Sequence, residues 1–409
     1  MKINRKNIII SIILVGIIII TNVIPGNFSE VVNQVKDFSG SNFTEEETSK
    51  ELSNDEAGIA ENLKATKVNS KAPIIDELTK KRDKSTKHFL LQDGSYEAFV
   101  YNEPVHYFEN GEWKDINNAL EEKEDYYENI DNDFSVKVAK NSNSNKLITI
   151  EKEKYKISWG LANGNNSGVT IYNSDKESSM DTITTEIDNS DEKEVAKQEL
   201  ENTLLTNITS KAEYKEIKKN IDLQYIVSGK KVKENIIYND KVLDPEISFN
   251  LDLDNLAVER TDDTTYLVDK DSKEKVFELG NSFMYDSNGE VCDKVTTTIN
   301  QKDDGSYSLE INPDEKWMND EKRAYPIVLD PIVNTELGSN NILDTFVCSN
   351  DTDNKYNNMF LRTGNVPGNV GTTETYIQFA SLPNLSAGDM VINAKLYLQK
   401  SPDYSGTDG

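Results

Sequence analysis

Ile221-Asp-Leu-Gln-Tyr-Ile-Val227, then Ser228-Gly229, then Val232-Lys-Glu-Asn-Ile-Ile-Tyr238 is the stretch whose reading decides the fold. Apolar and polar residues alternate with a period close to two, which puts one face of an extended chain into a core and leaves the other polar. Ser-Gly between the two runs is turn chemistry. The stretch therefore reads as two antiparallel, half-buried strands.

The same grammar extends outward in both directions. Toward the N-terminus, strands fit His88-Phe-Leu-Leu91, Tyr96–Tyr101, Val105–Phe108, Phe134–Val138, Lys146–Ile150, Tyr155–Trp159 and Gly168–Tyr172. Glu109-Asn-Gly-Glu112 before Trp113 is a hairpin signal, because Asn-Gly supplies the positive φ of a type I′ turn. Toward the C-terminus, Glu246–Leu251, Thr265–Val268 and Val276–Leu279 follow, with Asn288-Gly289 and Asp304-Gly305 as further turns. Asp191 to Leu205 breaks the pattern as a charged, helix-prone insertion or edge helix, and Trp317 to Arg323 reads as a loop or short turn. Pro326 and Pro331 bracket Ile-Val-Leu-Asp330, which points to an edge strand followed by a domain boundary. Beyond it, Asp344-Thr-Phe-Val-Cys-Ser349, Thr375-Tyr-Ile-Gln-Phe379 and Ala394-Lys-Leu-Tyr-Leu398 read as the opening strands of a further sandwich that is incomplete at Gly409.

The N-terminus has a different character. Met1–Lys6 is short and basic, and Ile8–Ile20 is an apolar run interrupted by Ser11 and Gly16, the layout of a secretory signal. Without a clean small-residue cleavage site, an uncleaved anchor stays open as the alternative. Residues 27–80 are acidic and poor in aromatics, so they cannot bury enough apolar surface to offset chain entropy and read as a flexible tether. The fold class is thus mainly β, with antiparallel β-sandwich domains after a signal peptide and a disordered acidic tether. The boundaries are 1–26 for the signal or anchor, 27–80 for the linker, 81–335 for a β-rich region and 339–409 for the incomplete sandwich.

Seventy-two acidic against 45 basic residues, a net charge of -27, argue against a nucleic-acid partner, since phosphate binding needs a basic footprint. Cys292 and Cys348 fall in different predicted domains and read as free, partly buried thiols. His88 and His106 are the two histidines of the chain, so any histidine-dependent nucleophile or metal site needs one of them. His106, in a strand beside the hairpin, reads as structural because no G-x-S-x-G or H-E-x-x-H signature accompanies it.

Several segments resemble, in one order, the N-terminal region of bacterial wall-associated and RHS-repeat surface proteins. They are Phe89-Leu-Leu-Gln-Asp-Gly-Ser95, Glu103-Pro-Val-His-Tyr107, Gly111-Glu-Trp-Lys-Asp-Ile116, Tyr155-Lys-Ile-Ser-Trp159, Asp222-Leu-Gln-Tyr225, Val232–Ile237, Phe283-Met-Tyr-Asp286 and Arg323–Pro331. The tail resembles the start of the DNRLRE domain, a carbohydrate-binding-module-like sandwich, through Asp344-Thr-Phe-Val347 and a degenerate form of the name-giving motif at Asn357–Gly364. The resemblance implies a secreted or cell-wall-associated bacterial protein.

Sugar binding by a sandwich stacks an aromatic ring on a pyranose while amides and charges fix its hydroxyls. Tyr356 is the expected platform, with Asn357, Asn358 and Arg362 as polar partners; Tyr376, Tyr397 and Tyr404 are further rings that core packing explains as well. Asp351 and Asp353, within Asn350-Asp-Thr-Asp-Asn354, are either an Asx-rich turn or the ligands of a Ca²⁺ ion, the one cofactor this sequence suggests. The leading expectation is a non-enzymatic adhesion or display protein that binds cell-wall polymer or polysaccharide, with membrane contact confined to an uncleaved N-terminal segment. The alternative is the export and shell segment of a larger RHS-type toxin whose enzymatic part lies beyond residue 409. An intact glycan-degrading enzyme ranks last.

Overall fold

The computed structural model describes residues 10–24, 74–173 apart from 93 and 102, 207–337 apart from 262, 263, 281 and 289, 342–350, 361–366, 371–379, 382–383, 390–391 and 395–400. Among these, 103–173 and 207–337 form one compact unit, and 10–24, 74–101 and the described residues beyond 341 form another. The chain is mainly β with antiparallel pairing throughout, as the alternation requires.

The unit from Glu103 contains two large sheets and a separate hairpin. In the eight-stranded sheet the order is Val295–Gln301, Tyr307–Pro313, Ile247–Asp254, Tyr155–Leu161, Ile148–Lys152, Ser135–Ala139, Tyr126–Asp131 and Asn117–Glu122. The eleven-stranded sheet runs Val169–Asn173, Thr209–Lys218, Ile221–Ser228, Lys231–Tyr238, Ile332–Asn334, Lys275–Leu279, Thr265–Asp269 and Leu256–Arg260, with Ile327–Asp330, Phe283–Tyr285 and Val291–Cys292 attached. Ile221–Ser228 and Lys231–Tyr238 pair in strict register from Ile221 with Tyr238 to Ser228 with Lys231.

Period-two alternation here builds the core directly. Ile221, Leu223, Tyr225 and Val227 point inward with Val232, Ile236 and Tyr238, and all seven are essentially inaccessible. They belong to one cluster with Ile148, Ile150, Ile157, Trp159, Phe249 and Ile311 of the other sheet, so the two sheets form a sandwich over a shared apolar layer. Burying side chains of this size stabilises by roughly 1.5–3 kcal/mol each before entropy is counted. Gly160, within Tyr155–Leu161, admits a close backbone approach: a Cβ there would lie 2.4 Å from the carbonyl oxygen of Asn145.

The hairpin His106–Glu109 and Glu112–Asp115 turns at Asn110 and Gly111 with φ of 53° and 89°, the positive pair that a type I′ turn demands. The loop or short turn read at 317–323 is present over 319–323, and it follows a one-turn helix, Glu315–Met318, whose N-cap, Asp314, accepts hydrogen bonds from the backbone N–H groups of Lys316 and Trp317. One local reading is corrected. Ile327–Asp330 is not an edge strand, because it lies between Lys231–Tyr238 and Phe283–Tyr285. Pro326 and Pro331 fall just outside its paired residues, so neither missing N–H interrupts the ladder. The peptide bond between Tyr325 and Pro326 is cis.

The other unit is one nine-stranded sheet. Ile74–Glu77 pairs with Thr86–Leu91, and Thr86–Leu91 with Tyr96–Tyr101. Ile342–Cys348 pairs with Gly371–Phe379 over seven positions. The apolar Ile10–Ile24 is a strand between Tyr96–Tyr101 and Leu361–Val366. A continuous apolar run suits a buried strand and a secretory segment equally, since periodicity does not separate them. Among the described residues no helix is long and apolar enough to cross a membrane.

Candidate functional site

Chemistry-bearing groups converge at two places in the unit from Glu103, and the first lies between its sheets. Trp159 comes from one sheet; Tyr225 and Glu234 come from the other, where they are direct cross-strand partners. The Trp159 Nε1–H donates to the Tyr225 hydroxyl at 3.1 Å, and that hydroxyl donates to Glu234 Oε1 at 2.7 Å. The rings of Trp159 and Tyr214 both meet Tyr225 edge to face, with centroids 6.1 and 6.4 Å away. Burial raises the Glu234 carboxyl to about 7, against the pull of hydrogen bonds from Tyr225 and Trp159 that favour the anion. Burial and the neighbouring Glu234 charge push the Tyr225 hydroxyl well above its ordinary value. A carboxyl near neutrality has the proton affinity of a general acid or base, but this one is 5% exposed inside the apolar layer. Its titration acts on the cohesion of the sandwich.

The second cluster surrounds the turn between Ile221–Ser228 and Lys231–Tyr238. Asn118 and Asn132 each donate from Nδ2 to the Gly229 carbonyl, at 3.0 and 2.9 Å. The buried Lys230 ammonium lies 2.9 Å from Asp133 Oδ2 and 2.7 Å from Glu336 Oε2, and Lys231 lies 3.1 Å from Glu103 Oε1. Thr335 donates from its hydroxyl to the Lys230 carbonyl at 2.8 Å, and Lys152 donates to the Thr335 carbonyl at 2.6 Å. Strands of both sheets thereby hold one turn through carboxylates on ammonium groups and amides on carbonyls. This arrangement locks geometry.

Of the residues singled out from sequence, those that are described belong to neither cluster. Tyr356, Asn357, Asn358, Asp351, Asp353 and Tyr404 lie outside the described residues, as does the helix-prone 191–205 segment. Arg362 is within the strand Leu361–Val366, opposite Ser11, and Tyr397 is within Lys395–Lys400. Tyr376 is 54% exposed on Gly371–Phe379 and donates to Glu374 Oε2 at 3.0 Å. His88 and His106 fall in different units; His88 packs beside the Tyr96 ring, and His106 Nε2 is 3.6 Å from Asp115 Oδ1. Both imidazoles are buried. Among the described residues no group of three His, Cys, Asp or Glu is arranged to hold a metal.

Sequence reasoning overlooked Glu234, Lys230 and Asn118. Glu234 had a visible signal: it occupies the inward phase of Val232, Ile236 and Tyr238, where a charge is out of place. Lys230 and Asn118 had none, because their partners are up to 111 positions away in the chain.

No family model matches the chain. Curated relatives that it resembles include the tRNA3(Ser)-specific nuclease WapA of Bacillus spizizenii, the tRNA nuclease WapA of Bacillus subtilis strain 168 and the tRNA(Glu)-specific nuclease WapA of Bacillus subtilis subsp. natto. Each is 27% identical over 356 aligned residues, covering 81% of this chain and 14% of the relative. The chain thus spans about one seventh of the length of these relatives.

These relatives overturn the expected resemblance to DNRLRE and RHS-repeat surface proteins. They also overturn the non-enzymatic adhesion reading, the polysaccharide or wall-polymer partner and the exclusion of nucleic acid, because the relatives are named as nucleases that act on tRNA. The charge argument failed for a physical reason. Exposed charges are screened over a Debye length of about 8 Å at physiological salt, so the net charge of one segment says nothing about a nucleic-acid surface elsewhere in a longer protein.

Proposed function

We propose that this chain is a scaffold segment of a larger exported nuclease that acts on tRNA. The observation that carries the reading is similarity to named tRNA nucleases across 81% of the chain, spread along it and not confined to a short motif. The geometry supports the scaffold role: two sheets share one apolar layer, and a buried ionic cradle pins the central turn between them. The basic-then-apolar start of the chain supports export.

The test is cleavage of total cellular tRNA by the complete protein that contains this chain, resolved by probing individual tRNA species. Discrete fragments from one or a few species are the expected result. Intact tRNA throughout, with folded protein in excess, would overturn the assignment. Gly160→Val in the same protein tests the scaffold role: the Cβ clash with the Asn145 carbonyl should sharply lower recovery of soluble, protease-resistant protein, and unchanged recovery would argue against it.

A further inference from the structure

A row of polar side chains crosses the face of the eleven-stranded sheet opposite the apolar layer. Glu213, Gln224 and Asn235 are cross-strand partners on Thr209–Lys218, Ile221–Ser228 and Lys231–Tyr238. The pairing of Ile236 with Leu329 places Asp330 opposite Asn235, with both side chains on one face. The row is therefore carboxyl, amide, amide, carboxyl. Gln224 Nε2 donates to Glu213 Oε1 at 3.4 Å, and Asn235 Nδ2 donates to Gln224 Oε1 at 2.8 Å.

Two amides between two carboxylates always leave one pair of facing acceptors: turning Asn235 alone would reach both carboxylates but set its oxygen against that of Gln224, which it now serves as donor. Both N–H bonds run toward Glu213, so Glu213 receives a donor and none comes from Asn235 to Asp330, its neighbour in the register. Asp330 Oδ1 and Asn235 Oδ1 are the atoms left over: both are buried, and among the described residues neither has a hydrogen-bond partner. Reversing both amides merely transfers the acceptor pair to the Glu213 end. Two acceptors held side by side out of water are costly unless a donor bridges them.

We infer that Asp330 is a proton-binding site, holding a proton on Oδ1 that it donates to Asn235 Oδ1 and so completing the hydrogen-bonded row across four strands. Asp330 is the better end for the proton because it is 1% exposed against 8% for Glu213. Glu213 also has the Lys215 ammonium at 3.1 Å, on a side chain that reaches solvent. The groups facing Asp330 are Lys233, whose Nζ is 2.7 Å from Oδ2, and Tyr285 and Phe283 on the adjoining strand. Glu234 lies on the opposite face, and Asp222 and Lys215 belong to the far end of the row. Burial raises the Asp330 carboxyl even against the opposing Lys233 charge.

The test follows the Asp330 carboxyl carbon by NMR against pH in the full chain with ¹³C-labelled aspartate, the resonance assigned by its loss in Asp330→Asn. A midpoint above the ~3.9 of an exposed aspartate is expected. Asn235→Ala, which removes the facing acceptor, should weaken proton binding at least tenfold. A midpoint at or below that of an exposed aspartate, or one unmoved by Asn235→Ala, overturns the inference. So does a midpoint that shifts with Na⁺ or K⁺ at constant ionic strength, which would mean a bridging cation. Asp330→Asn brings its own N–H donor and is expected to keep the fold; unfolding of this variant at all pH values would count against the bridge.

Discussion

Replacing Glu234 by glutamine removes a titration from the middle of the sandwich, and the size of the effect follows from its burial. The carboxyl moves from 4.5 to about 7 on folding, so the folded state holds its proton more tightly than the unfolded chain. A raised carboxyl contributes stability that is complete below about 4.5 and is lost as pH rises through about 7. At 1.36 kcal/mol per unit, the shift corresponds to roughly 3 kcal/mol across the whole window, of which about 2–3 kcal/mol falls between pH 5 and pH 8. Glutamine keeps an oxygen for the Tyr225 hydroxyl but cannot ionise. Its constant cost from a poorly placed N–H, about 1–3 kcal/mol, is the same at every pH and cancels in the comparison. Urea unfolding of the full chain, followed by tryptophan fluorescence, is the assay. Trp113, Trp159 and Trp317 are the three tryptophans and all belong to the same unit. The stability of Glu234→Gln relative to the parent should rise by about 2–3 kcal/mol from pH 5 to pH 8. A difference that stays flat over that range would refute the reasoning.

Further substitutions probe the neighbouring contacts. Tyr225→Phe deletes the hydroxyl that joins Trp159 to Glu234 and should cost about 1–3 kcal/mol, more at pH 8 than at pH 5, because the carboxylate loses its donor; equal losses at the two pH values would mean that Glu234 does not ionise between them. Lys230→Met leaves Asp133 and Glu336 without their shared ammonium and should lower stability by about 1–3 kcal/mol, measured by the same unfolding curves; a neutral result would show that the cradle at Gly229 is dispensable. Gly111→Ala places a side chain at a φ of +89° with open space around it, so only backbone strain is felt. A loss of about 1 kcal/mol is expected by thermal unfolding, and a gain in stability would contradict the turn assignment.

Strand identity was legible wherever one face of a strand is buried and the turn is chemically marked. Ile221–Ser228, Lys231–Tyr238 and the Asn110-Gly111 hairpin follow from alternation and positive-φ residues alone. Ile327–Asp330 was misread as an edge because prolines at both ends look the same in sequence whether they lie inside or outside the ladder. Glu315–Met318 was missed because one capped turn of helix is too short to show a period. The functional class was misjudged because the lack of a catalytic signature and the acidic charge of this stretch were given more weight than the alternative of a segment of a larger toxin, whereas the relatives devote about one seventh of their length to the matching region.

The sequence by itself determined the β-rich class, the antiparallel strands of its central hairpin and the alternation that marks their apolar face, because those depend on neighbours two residues apart. Only the tertiary structure decided which strands meet. That step put Glu234 beneath Trp159, set Asp330 beside Asn235 and placed Lys230 between Asp133 and Glu336. Partners that are distant in the chain exert their fields and hydrogen bonds only after the two sheets have closed, so no pattern in the linear order announces them.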